Sequence, residues 1–195
     1  MPVISLPDGS KKEFSEALTG LAVAKSIGSG LAKAAVAIRI DGALRDLAAP
    51  IEGNVSVEII TRTTDEGLEV LRHDAAHAMA EAVKELYPET QVTIGPAIQD
   101  GFYYDFSREE AFAPEDLERI EAKMREIVDR DEPIVRELWD RSEAIDFFNG
   151  HGEAYKAEII AGIPEGEEVT LYRQGDFVDL CRGPHLPSTG RLGKA

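Results

Sequence analysis

The sequence is poor in cysteine and in positive charge, and it has no long apolar run. Cys181 is the only cysteine in 195 residues, which excludes an intrachain disulfide framework and makes a reducing, cytoplasmic setting the expectation. No apolar stretch approaches the ~20 residues that cross a bilayer. The opening MPVISLPDGS lacks a basic segment followed by an apolar core, so neither a leader nor membrane association is expected.

Basic charge is the third shortage. The formal net charge is −16, and no basic stripe of the kind used by nucleic-acid readers is visible. The deficit is uneven: residues 1–62 hold seven Lys/Arg and seven Asp/Glu, whereas residues 63–195 hold 14 and 30. Ser107–Phe148 alone carries seven basic and 14 acidic residues on what reads as mainly helix. The acidity is thus expected on a solvated surface, leaving other faces open to RNA. Affinity for RNA, which phosphate contacts usually dominate, then has to come largely from outside this chain.

What is present reads as two domains, 1–62 and 63–195. Val3–Leu6 is an apolar strand, Pro7-Asp8-Gly9-Ser10 is turn chemistry and Lys12–Phe14 pairs back. Ala17–Ile27 has helical apolar spacing, ended or interrupted by Gly28 and Gly30. Ala35–Ile40 and Leu44–Leu47 flank the hairpin signal Asp41-Gly42, and Val55, Val57 and Ile59 alternate in a last strand. The order is that of a small β-grasp domain. Arg62–Gly67 reads as a linker. Leu68–Tyr87 is a strongly amphipathic helix stopped by Pro88. Thr90–Phe106 reads as a hairpin turning near Asp100-Gly101, and Pro114 opens a charged helix that runs to Asp131. A strand, Ile134–Trp139, two short helices (Ser142–Phe148 and Glu153–Ile160) and a hairpin of Val169–Arg173 with Phe177–Cys181 follow. Ser188–Ala195 is expected to be open. The second domain is therefore α+β, with a mainly antiparallel sheet and one long helix.

The chemistry-bearing residues fall in two tight groups. His73 and His77 are four apart in the long helix, so both imidazoles share one side. A zinc-protease reading needs Glu directly after the first histidine; Asp74 stands there instead. In Asp179-Leu180-Cys181-Arg182-Gly183-Pro184-His185, Asp179 and Cys181 share a strand face and Gly183-Pro184 turns the chain so that His185 can return. Each group alone has an ordinary structural explanation, since a lone cysteine is most often a small buried hydrophobe. Four of the five His and Cys residues, however, fall in these two groups, with only His151 outside as an ordinary surface residue. Spacing leaves open a closed zinc site, a catalytic zinc site with an open position, or a metal-free hydrolytic pocket.

His-x-x-x-His followed about 100 residues later by Cys-x-x-x-His resembles the editing domain shared by threonyl- and alanyl-tRNA synthetases and the free-standing alanyl editing proteins. Ile94-Gly95-Pro96, Gly101-Phe102-Tyr103-Tyr104-Asp105, Tyr155-Lys156 and Asp179–His185 resemble the threonyl branch, and the first 61 residues resemble the TGS domain that precedes it in bacterial threonyl enzymes. The resemblance implies proofreading, the hydrolysis of serine wrongly esterified to threonine tRNA. Serine lacks one methyl of threonine, and such a difference yields only ~10–200-fold discrimination in one pocket.

Hydrolysis of an aminoacyl ester needs a placed water, a proton acceptor and stabilisation of an oxyanion. The resemblance implies His73, and after it His77, as the groups that orient or activate water, with Lys156 holding water or offsetting negative charge and Cys181 and His185 completing the wall. Asp179 is expected to receive the substrate ammonium or orient a histidine, and Tyr104 to hold the terminal ribose or adenine. It also implies a site without metal; in the alanyl branch the same four positions, here His73, His77, Cys181 and His185, hold zinc. The expected partner is the aminoacylated 3′ end of tRNA, and the parent synthetase is expected to be a homodimer. No Arg-bearing ATP loop follows, so threonine activation is not expected, and ATP, Mg and zinc are expected only in an aminoacylation domain that is absent. Two alternatives stand beside this reading: a free-standing zinc-dependent deacylase of the alanyl type, and a non-catalytic tRNA-binding module.

Overall fold

The computed structural model describes residues 2–16 and 18–194, which form two compact units, residues 2–71 with 183–187 and residues 72–182 with 188–194. The first unit is a β-grasp. Its elements are β1 (Val3–Ser5), β2 (Lys11–Glu13), β3 (Leu18–Thr19), α1 (Gly20–Ile27), α2 (Ser29–Ala34), β4 (Ala35–Ile40), β5 (Ala43–Asp46), β6 (Pro50–Ile51) and β7 (Val55–Thr61). Five strands form one sheet in the order β2-β1-β7-β4-β5, with β1 parallel to β7 and the other pairings antiparallel. Ile4, Val23, Ile38, Leu47 and Ile51, all nearly inaccessible, make its core.

The Asp41-Gly42 signal is realised: both residues take positive φ, 44° and 86°, as a two-residue hairpin between twisted strands requires. The first helix differs from the sequence expectation. It starts at Gly20 because Thr19 stays extended and its hydroxyl accepts the Ala22 N–H at 3.4 Å, an N-cap that the apolar spacing does not reveal. Ala17 lies outside the described residues. Gly28 interrupts, but Gly30 sits inside α2.

A long helix, α3 (Asp65–Leu86), begins three residues before its apolar stripe, so half of the expected linker is helical. The Thr64 hydroxyl accepts the Gly67 N–H at 3.1 Å, and Asp65 and Glu66 put negative charge on the first turn, where the exposed N–H groups favour it. The second unit continues with β8 (Gln91–Val92), β9 (Ala97–Ile98), β10 (Gly101–Phe102), β11 (Phe106–Ser107), α4 (Pro114–Arg130), β12 (Ile134–Trp139), α5 (Arg141–Gly150), α6 (Ala154–Ala161), β13 (Val169–Gln174) and β14 (Phe177–Leu180).

The expected hairpin over Thr90–Phe106 is present in nested form. β8 pairs with β11 at its base and β9 with β10 at its tip. Between them Thr93 and Asp105 carry the ladder onward by backbone hydrogen bonds of 3.1 and 2.9 Å. Gly95 sits where a side chain has no room: a Cβ there would stand 2.0 Å from the Tyr104 ring. The strands β12-β13-β14 form an antiparallel sheet, packed through Leu171 and Val178 onto Phe148 and Ile160 of α5 and α6. The C-terminal stretch is not open. Residues Thr189–Lys194 form a 3-10 helix, and buried Thr189 donates to the Ile127 carbonyl at 2.9 Å and accepts the Glu132 N–H at 3.0 Å; Ala195 lies outside the described residues.

Helix α3 is tied to its neighbours by a buried carboxylate. Glu81 accepts from the Gln174 amide of β13 and lies 3.3 Å from Arg130 of α4. Burial pushes its carboxyl up to about 7; Glu132 and Glu85 add to the rise, while Gln174 and Arg130 oppose it.

Two predictions follow from these contacts. Gly95→Ala forces the Tyr104 ring aside and is expected to cost about 1–3 kcal/mol, read by urea unfolding. Because the folded carboxyl of Glu81 holds its proton to higher pH than the unfolded one, its contribution to stability is present in acid and is lost as pH rises from about 4.5 through about 7. Thermal unfolding across that window is expected to show a declining melting temperature, with the decline flattened in Glu81→Gln.

Candidate functional site

Three elements of the second unit meet at one place. Helix α3 brings His73 and His77, whose rings lie 4.8 Å apart with 55° between planes, as four-residue spacing on a helix requires. The β13–β14 hairpin brings Asp179 and, one residue past its end, Cys181. The side chains of Val178 and Leu180 go instead into the apolar cluster with Phe148 and Ile160, so strand alternation alone puts Asp179 on the polar face. Helix α6 brings Lys156 in its first turn.

Asp179 is the centre of this arrangement. It is 1% exposed, accepts from the Lys156 ammonium at 2.6 Å and from the Tyr104 hydroxyl at 2.8 Å, and its Oδ2 lies 3.4 Å from Nδ1 of His77. Its other oxygen also accepts the Leu180 N–H at 2.8 Å. Burial by itself would raise this carboxyl, but Lys156, His77 and the hydrogen bonds from Lys156 and Tyr104 outweigh it and hold Asp179 below its ordinary range. Lys156, 2% exposed, also donates to the Tyr104 hydroxyl at 3.2 Å. The Tyr104 phenol is driven upward, first by burial and then by the neighbouring Asp179 charge, and so keeps its proton.

A second contact joins helix to hairpin from the other direction: Nε2 of His73 and the Cys181 sulfur are 3.0 Å apart. His73 and Cys181 are half-buried, whereas His77 is buried. The ring nitrogens of His73 and His77 and the sulfur lie within 4.8 Å of one another, a donor set that zinc accepts. Two ligands of a tetrahedral zinc stand roughly 3.5 Å apart, so the 3.0 Å His73–Cys181 contact would have to open by about half an ångström to admit it. Those side chains fit the ion chemically and sit drawn together as a hydrogen-bonded pair.

Of the residues singled out from sequence, His73, His77, Tyr104, Lys156, Asp179 and Cys181 all belong to the second unit. His185 is buried on the Gly183–Pro187 segment, which belongs with the first unit, and its backbone N–H donates to Asp46 at 2.7 Å. His151, set aside as a surface residue, is exposed at the end of α5, with Nδ1 2.7 Å from the Phe147 carbonyl. The Tyr104 hydroxyl, expected to meet a substrate, is engaged by Lys156 and Asp179. Two residues beside the site escaped the sequence reading, Lys84 and Glu153, which form an ion pair. Their only signal was position: Lys84 lies two turns beyond His77 on the same helix, and Glu153 directly precedes the helix of Lys156.

Asp179→Asn leaves the Lys156 ammonium buried without its counter-charge and is expected to cost about 3–5 kcal/mol, measured by denaturant unfolding. In the unsubstituted chain the stability that this carboxylate contributes is present above its unfolded value of 3.8 and is lost only as pH falls through its lowered folded value. Exchange of the surrounding amides is therefore expected to remain protected at pH values where exposed aspartates titrate.

Comparison with known proteins places the sequence. Residues 2–61 match the TGS domain and residues 169–194 match the threonyl and alanyl tRNA synthetase second additional domain. The threonine–tRNA ligase of Rhodospirillum rubrum is 63% identical over 195 residues, that of Paramagnetospirillum magneticum 64% over 196 and that of Acidithiobacillus ferrooxidans 58% over 193. These alignments take in 99–100% of this chain but only 30–31% of each ligase, so the chain spans about a third of the length of the relatives it matches. It carries a TGS domain and sequence of the threonyl and alanyl tRNA synthetase second additional domain, and along its full length it is 58–64% identical to the matching region of these bacterial threonine–tRNA ligases.

Proposed function

We propose that this chain is a proofreading module that hydrolyses the ester of serine misattached to threonine tRNA, within a ligase that charges that tRNA with threonine using ATP. The reading rests above all on the meeting of His73, His77, Cys181, Asp179 and Lys156 in one unit whose sequence includes the second additional domain of these synthetases. On this reading the module comprises a TGS domain over 1–62 and an editing domain over 63–195.

In this reading a water molecule is held between the two imidazoles and attacks the ester carbonyl. His77 is the better-placed proton acceptor, because Asp179 beside its Nδ1 stabilises the imidazolium formed when the ring takes a proton. His73, held by Cys181, orients the water. Lys156 supplies a fixed positive charge in a region of low dielectric, where it acts on developing negative charge without reorganising. The Asp179 carboxylate is occupied by Lys156 and Tyr104, which favours an orienting role for it over capture of the substrate ammonium. His185 enters this proposal through the Cys181-x-x-x-His185 motif alone. The partner is the 3′ end of an aminoacylated tRNA.

A zinc-dependent alanyl-type activity remains the second reading, favoured by the His73, His77 and Cys181 donor atoms within 4.8 Å. If an ion bound there it would polarise a water or a carbonyl; among these residues, both imidazoles and the thiolate would hold it.

The deciding experiment compares hydrolysis of serine-charged and threonine-charged threonine tRNA by the full chain. Serine is expected to be released and threonine retained, and His77→Ala is expected to slow serine release by about 10²–10⁴-fold with tRNA affinity unchanged and the chain still folded. Prior dialysis against a chelator is expected to leave the rate intact. A rate abolished by chelation and restored by zinc would overturn the metal-free site in favour of the alanyl type. Unchanged hydrolysis in His77→Ala would remove His77 as base, and binding of tRNA with no hydrolysis at all would leave a binding module.

A further inference from the structure

Helix α6 carries Lys156 in its first turn, yet the start of that helix is not held by its own cap. Glu153 occupies the N-cap position and makes no side-chain hydrogen bond into the helix. Its carboxylate is buried, 4% exposed, and turned outward. Oε2 accepts the Val92 N–H of β8 at 2.9 Å, and Oε1 faces the Lys84 ammonium of α3 in an ion pair. The adjacent Ala154 N–H is satisfied from the same side, by Oε1 of Gln91 at 3.1 Å. Lys84 is itself fixed, donating to the carbonyls of Pro88 at 2.7 Å and Thr90 at 3.0 Å.

Both ends of this bridge lead to the candidate site. Lys84 follows His77 by seven residues, two turns along the same helix, so the two share a face. Glu153 precedes Lys156 by three residues, within one helical turn. The Lys84–Glu153 pair therefore links the helix that bears the imidazoles to the turn that bears the buried ammonium. A carboxylate so deeply buried is costly unless paired, which makes the link stiff.

We propose that Lys84 and Glu153 are positioning residues that set where the Lys156 ammonium stands relative to Asp179 and His77. They touch no reacting atom and act through Lys156. The kinetic consequence rests on the proofreading reading given above; the positional consequence does not. A displacement of order 1 Å in a catalytic group costs up to ~10²-fold in rate, so loss of the pair should appear in turnover and not in substrate affinity.

The test uses the full chain and the variants Glu153→Gln, Lys84→Met and Lys84→Arg. Glu153→Gln keeps an acceptor for the Val92 N–H but removes the charge opposite Lys84. Lys84→Met lies on a partly exposed side chain, so it can fold even if the buried Glu153→Gln does not, and Lys84→Arg restores the cation. Hydrogen exchange of the peptide covering residues 152–158 is measured beside kcat and KM for release of serine from threonine tRNA. Faster local exchange is expected in Glu153→Gln and Lys84→Met, together with kcat lowered roughly tenfold or more, KM unchanged and both effects largely reversed in Lys84→Arg. Unchanged exchange in both charge-removing variants overturns the proposal. So does loosened exchange with full kcat, or a fall in kcat that Lys84→Arg fails to rescue. If the unsubstituted chain releases no serine, the proofreading reading fails separately, and exchange still decides whether the pair holds the turn of Lys156.

Discussion

The buried ion pair between Lys156 and Asp179 is the constraint around which the second unit is arranged. Neither charge is accessible, and burying an ammonium or a carboxylate alone costs several kcal/mol. Each therefore obliges the chain to deliver the other, from a helix and a strand some twenty residues apart. The Tyr104 hydroxyl and the His77 ring complete the shell of the carboxylate. Once Asp179 is satisfied in this way, its place fixes the hairpin register, and with it Cys181 two residues further on, 3.0 Å from His73.

The same need for satisfied polarity explains the flanks of the site. Glycine at position 95 lets the nested hairpin bring Tyr104 close to its own backbone, so that the ring packs flat and the hydroxyl reaches Asp179. Further along α3, Glu81 solves a related problem less completely. Burial raises its carboxyl most, Glu132 and Glu85 add to the rise, and Gln174 and Arg130 offset only part of it, so the carboxyl is left at about 7. Asp179 and Glu81 lie in the same unit, both buried, and titrate in opposite directions because one has a full cationic partner at 2.6 Å and the other a cation at 3.3 Å amid further carboxylates.

On the proofreading reading, the strongly acidic balance bears on how the chain would meet RNA. Many of the carboxylates of α4 are exposed and some are paired along the helix, as Glu121 with Arg125 and Glu126 with Lys123. Exposed pairs of this kind contribute little to stability, and they give no cationic track for a phosphate backbone. Such a surface suits the proposed recognition of a short 3′ end by the shape and chemistry of a pocket, with phosphate contacts supplied from other faces or from outside this chain.

The sequence by itself determined the periodic elements and the chemical inventory. The apolar stripe of α3, the Asp41-Gly42 turn, the alternation that sends Val178 and Leu180 inward and the four-residue spacing of His73 and His77 are all local, set by 3.6- and two-residue geometry. What failed locally were ends governed by side chains outside the periodic pattern: the Thr19 cap, the early start of α3 under Thr64, and the C-terminal turn fastened by Thr189. The contacts within the site were decided only by tertiary structure. Nothing in the spacing of Tyr104, Lys156 and Asp179 says that they share one proton-rich cluster, nor that His77 rather than His73 stands beside the carboxylate. Pairing of buried charges is a property of three-dimensional neighbours, and these come from elements separated by up to a hundred residues of chain. Periodicity constrains which face a side chain takes; only packing chooses what it meets there.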